Sequence, residues 1–147
     1  IGGIVKNVIA LAVGISDGLE LGDSARAALI TRGLAEMMRL AIAMGAEQQT
    51  LAGLSGLGDL VMTATYDTSR NRTVGLRLGK GESLENILNT LGSTAEAVKT
   101  TPLVLQLANE HQVEMPITEG TAALLSGEVT ADEMIQRFIT RPMKPEF

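Results

Sequence analysis

The fold class this chain predicts is all-α, and three observations predict it. No stretch alternates apolar and polar residues with period two for long, so strands are not expected. Aromatics are 2% of the 147 residues and Trp is absent, leaving a core of Leu, Ile, Val, Ala and the 7 Met. No long stretch is dominated by the β-branched and aromatic residues that favour strands. Helix start and stop signals recur along the chain. A length of 147 residues suits one hydrophobic core, so residues 1–147 are expected to form a single helical domain.

The first element, over 4–15, is apolar on nearly every face, as a buried central helix would be. Asp17-Gly18 marks its end or a kink. Asp23 or Ser24 is the expected N-cap of a second helix running to about Met44, with Gly45 as its terminal glycine. Ile30, Leu34, Met37 and Ala41 form its apolar stripe, and Arg32, Glu36 and Arg39 share a polar face. Gly53, Gly56 and Gly58 punctuate 52–65 too often for one stable helix, so a short helix, a Gly-rich turn and a new apolar segment are expected there. Ser69 is placed to cap a helix over 70–78 that ends at Gly79. Gly81-Glu82-Ser83 introduces a short helix over 84–91. Thr101 is placed as a cap with Pro102 at the first helical position, the helix running to Glu110. Pro116 turns the chain before a helix over 118–126. Thr130 caps a last helix over 131–138, with Glu133 at capping-box spacing. Sixteen glycines are many for a helical chain and point to close helix approaches or backbone-lined sites.

Composition excludes several function classes. Net charge is −5 and no Lys/Arg stripe stands out, so no affinity for nucleic acid is expected. With no Cys and one His, neither disulfides nor a metal site is expected. The apolar run 1–13 is interrupted by Lys6 and Asn7 and is shorter than the roughly 20 residues of a membrane span. It also lacks the basic start of a signal peptide. The first residue is Ile, with the apolar pattern already under way, so the chain reads as a piece of something longer.

A few polar residues are poorly explained by folding alone. Lys6 lies inside the most apolar segment; it either snorkels to water or acts on a substrate, since a desolvated lysine serves as a base near neutral pH. Gly56-Leu57-Gly58-Asp59 is a tight turn ending in a carboxylate, either a helix cap or a site group. Ser69-Arg70-Asn71-Arg72 gathers donors at an expected helix start, which makes either a solvated capping turn or a phosphate site. Lysine, carboxylate and phosphate-type donors in one small domain match a phosphorylated alcohol or ketone. His111, at a helix end, reads as structural, and Met37, Met38 and Met44 read as core.

Ile4-Val5-Lys6-Asn7, Gly14-Ile15-Ser16-Asp17-Gly18-Leu19 and Ala28-Leu29-Ile30-Thr31-Arg32-Gly33-Leu34-Ala35-Glu36-Met37 resemble the central stretch of the bacterial NAD(P)-dependent glycerol-3-phosphate dehydrogenases. Gly56-Leu57-Gly58-Asp59-Leu60 and Ser69-Arg70-Asn71-Arg72 do so as well, and the likeness extends from about Gly3 to Lys144-Pro145-Glu146. Departures are modest: Val5 stands for a usual Leu, Ala97 for a frequent Gly, and Thr94 for a frequent Val.

The resemblance implies a substrate-binding, multi-helical bundle like the C-terminal domain of 6-phosphogluconate dehydrogenase. It would dock on a preceding Rossmann domain whose Gly-x-Gly-x-x-Gly fingerprint is absent here. It implies interconversion of sn-glycerol 3-phosphate and dihydroxyacetone phosphate in the cytoplasm for phospholipid synthesis, with NAD or NADP held mainly by the Rossmann domain. Lys6 matches the proton acceptor, beside Asn7, with Asp59 and Thr63 completing the catalytic set. Lys6, Asp59, Ser69, Arg70 and Asn71 match substrate contacts, and Arg70, Thr94 and Glu96 match cofactor contacts. A homodimer is compatible with this reading, and the chain alone is expected to be inactive. The competing readings are a non-catalytic helical dimerisation or scaffold module, and the helical domain of a hydroxyacid or 6-phosphogluconate-type dehydrogenase.

Overall fold

The computed structural model describes residues 2–45, 70–91 and 95–140, and these contain helices and no strand. In chain order the helices are α1 (Gly2–Gly18), α2 (Asp23–Ala43), α3 (Arg70–Gly79), α4 (Leu84–Leu91), α5 (Glu96–Glu110), α6 (Pro116–Leu125) and α7 (Ala131–Thr140). The glycine-rich turn expected over 52–65 lies outside the described residues.

Helix α1 is the axis of the bundle, as its all-round apolarity predicts. Val5, Val8, Ile9, Ala10, Leu11, Ala12, Val13 and Ile15 are all fully buried. Burying a Val, Leu or Ile side chain stabilises by about 1.5–3 kcal/mol, so this one helix anchors much of the core. Its Val5, Val8, Ile9, Ala12 and Val13 pack with Leu29, Met37 and Leu40 of α2 and with Val104 and Ala108 of α5. Its Leu11 and Ile15 serve a second cluster, with Val74 and Leu78 of α3, Ile87 of α4 and Met134 of α7.

Several helix ends follow the local code. Gly45 takes φ 104° after α2, and the Ser83 hydroxyl accepts the Asn86 amide at 3.2 Å at the start of α4. Thr130 and Glu133 form the reciprocal capping box: the Glu133 amide donates to Thr130 Oγ1 at 3.2 Å, and the Thr130 amide donates to Glu133 Oε1 at 3.3 Å.

Other ends differ from expectation, each for a physical reason. Gly22, at φ 91°, occupies the cap position of α2, so neither Asp23 nor Ser24 caps it. Asp23 instead complements the helix dipole from the first turn and pairs with Arg26 at 3.8 Å. Helix α5 begins well before Thr101, because the Ala97 amide donates to the Asn71 side-chain oxygen at 2.8 Å. That acceptor comes from α3, so no local signal announces it. Thr101 is then interior, its hydroxyl donating to Ala97 O at 2.5 Å, and Pro102 lies inside the helix. Pro116 is itself the first residue of α6.

Two core assignments also change. Met37 and Met38 are buried, but Met44 is 40% exposed at the end of α2. Glu36 does not share a solvated face with Arg32 and Arg39; it is 1% exposed. Its Oε1 accepts the Ile117 amide at 2.5 Å, so a carboxyl from α2 caps α6.

Candidate functional site

Helices α1 and α3 lie closer than side chains would permit. A Cβ added to Gly14 or Gly18 would run into the backbone carbonyl of Arg72 or Leu76. A Cβ on Gly75 or Gly79 would run into that of Leu11 or Ile15. Two glycine pairs, each spaced by four residues, therefore face each other backbone to backbone. The partners rise together in number along both helices, so α1 and α3 run parallel. By this register Arg70 is level with Ile9, three residues past Lys6 and about 4.5 Å further along the axis.

The parallel packing brings Lys6 and the start of α3 to one end of the bundle. Lys6 and Asn7 are half-buried on α1, between the fully buried Val5 and Val8. Arg70 is the first residue of α3 and is exposed; Asn71 is buried. Through Asn71 the first turn of α5 joins the same end, and Glu96 stands exposed at its start. Lys6, Asn7, Arg70, Asn71 and Glu96 thus lie toward one end of the bundle, on three helices. Asp59, Thr63, Ser69 and Thr94 lie outside the described residues.

A second ionic group braces this arrangement and was not anticipated as a site feature. The Asp17 carboxylate, 8% exposed, accepts Arg72 Nη2 at 2.6 Å through Oδ2, and Arg26 Nε at 3.1 Å through Oδ1. Asp17 therefore joins the end of α1 to the first turns of α2 and α3. Arg72 is buried and Arg70 exposed, so two arginines of one helical turn sit in opposite environments. The signal available in the sequence was the pairing of one acidic residue in an apolar helix with a basic cluster. His111 sits at the C-cap of α5.

Chemically, the free amides at the start of a helix carry the positive end of its dipole, and a guanidinium adds a two-pronged donor for oxyanions. An all-helical bundle that gathers a lysine, an arginine and the starts of α3 and α5 at one end is equipped to hold a small anionic ligand. The chain belongs to the NAD-dependent glycerol-3-phosphate dehydrogenase C-terminus family, whose model matches residues 1–136.

A relative from Hyphomonas neptunium, named glycerol-3-phosphate dehydrogenase (NAD(P)+), is 53% identical over 146 residues, 99% of this chain and 44% of that protein. The crystal structure of glycerol-3-phosphate dehydrogenase from Coxiella burnetii superposes with TM-score 0.90 at 46% identity, covering 95% of this chain and 43% of that one. The yeast glycerol-3-phosphate dehydrogenase shares the fold at TM-score 0.81 and 24% identity, over 92% of this chain and 40% of the other. The chain thus spans well under half the length of the relatives it matches.

Proposed function

We propose that residues 1–147 form the helical substrate-side domain of a two-domain, cytoplasmic NAD(P)-dependent glycerol-3-phosphate dehydrogenase. The family supports the reaction class, and one observation supports the site: the parallel contact of α1 with α3, by which Lys6 and Arg70 differ in level by about one helical turn along the axis. A general base beside a phosphate clamp is what a phosphorylated secondary alcohol needs.

In this reading Arg70 grips the phosphate of sn-glycerol 3-phosphate with its planar fork, aided by Ser69 and the side-chain amide of Asn71. Anchoring the phosphate fixes where the C2 hydroxyl falls along α1. Lys6 Nζ accepts the hydroxyl proton when the alcohol is oxidised and returns it when dihydroxyacetone phosphate is reduced, with Asn7 and the Asp59–Thr63 segment holding the amine in place. When bound, the nicotinamide supplies the hydride acceptor. Arg70, Thr94 and Glu96 serve the cofactor, and both described members of that group, Arg70 and Glu96, are exposed.

The decisive substitution is Lys6→Met in the full-length enzyme, which keeps the aliphatic stem and removes the proton carrier. Glycerol 3-phosphate oxidation should fall by about a hundred- to ten-thousand-fold in kcat, with the thermal midpoint little changed. Turnover within a few-fold of the parent would rule Lys6 out as the base.

A further inference from the structure

Asn71 connects two parts of the site that the reading above treats separately. Its side chain is 6% exposed, and its oxygen accepts the Ala97 amide at 2.8 Å in a buried hydrogen bond. Ala97 is the second residue of α5, where amides have no partner within their own helix. The N-cap residue, Ala95, has no side-chain oxygen to offer. The acceptor that starts α5 is therefore an atom of α3, one residue from Arg70, and the residue it holds is next to Glu96.

We propose that Asn71 is a positioning residue for the cofactor side of the site. Its amide oxygen fixes the first turn of α5, and with it Glu96, in register with Arg70, so that the phosphate-gripping and nucleotide-facing groups move as one unit. The inference rests on the proposed dehydrogenase reading for the identity of the cofactor. The oxygen and nitrogen of this amide are chemically distinct: the oxygen accepts from Ala97, and the nitrogen is the donor. An aspartate keeps the oxygen and loses the donor; a leucine loses both.

The test compares Asn71→Asp and Asn71→Leu in the full-length enzyme with two readouts. Hydrogen–deuterium exchange of the peptide spanning the first turns of α5, without ligands, reads the tie itself. Dissociation of NADH, followed by its own fluorescence without substrate, reads the consequence. Asn71→Asp, which keeps an acceptor for the Ala97 amide, should keep the protection. Asn71→Leu should lose protection there while other helices keep theirs, and should weaken NADH about fivefold or more, the effect of one lost buried hydrogen bond. Protection unchanged in the leucine variant, protection lost equally in both variants, or NADH held by the leucine variant as tightly as by the parent would overturn the proposal. A parent enzyme that binds NADH but does not oxidise glycerol 3-phosphate would overturn the functional reading and leave this comparison intact.

Discussion

Glu36 shows how far a single residue can depart from its apparent role. Burial pushes its carboxyl pKa up to about 8, against the pull of the Ile117 amide, Arg39 and the Thr118 amide, with Glu119 adding to the rise. A carboxyl whose pKa is higher folded than unfolded favours the folded state most when protonated. Its contribution is complete below the unfolded value, near 4.5, and is lost as pH rises through about 8. The chain should therefore lose stability between about pH 5 and 8, at up to about 1.4 kcal/mol per pH unit from this group. Glu36→Gln keeps an acceptor for Ile117 and cannot titrate, so its stability should be flatter over that window. Urea unfolding at several pH values checks this; parallel curves for the two proteins would sink it. Local spacing placed Glu36 on a polar face because Arg32 and Arg39 flank it, and only the distant start of α6 explains its burial. Lys6 stands out by the opposite logic: a cation within an apolar run is conspicuous wherever the rest of the chain goes, and the structure leaves it half-buried.

Elements were legible where their causes are local. The capping box of α7, Ser83 before α4 and Gly45 after α2 were each read from neighbouring residues, and the structure keeps them. The start of α5 was misplaced because its acceptor is Asn71, 26 positions earlier. The high glycine content hinted at close packing without saying which helices would meet. That pairing makes a sharp prediction. Gly75→Ala gains about 1 kcal/mol of helix propensity, yet its methyl would meet the carbonyl of Leu11, a backbone atom that cannot swing aside. The net effect should be a loss of about 1–3 kcal/mol, read by chemical denaturation. A variant as stable as the parent would mean that the two helices are free to separate at no cost.

At the scale of the whole molecule, the described residues form helices alone. They include no strand, and the sequence has no Gly-x-Gly-x-x-Gly turn to hold a pyrophosphate. Purified residues 1–147 should therefore show no NAD- or NADP-dependent oxidation of glycerol 3-phosphate, and should gain it when joined to a dinucleotide-binding domain of the family. Steady turnover by the 147 residues unaided would refute this. No helix among the described residues is long and apolar enough to cross a membrane.

The glycine seam between α1 and α3 also bears on how the protein acquires its shape. Gly14 and Gly75 touch across about sixty positions of chain, so the seam cannot close until a long loop has been brought together. The contact between α1 and α2 spans a far shorter loop and can form early. Contacts of high sequence separation are the slow ones in folding, because chain entropy is lost before any contact repays it. The relative level of Lys6 and Arg70 is thus set by a late-forming contact, and a nascent chain can be largely helical before the two helices that carry them meet.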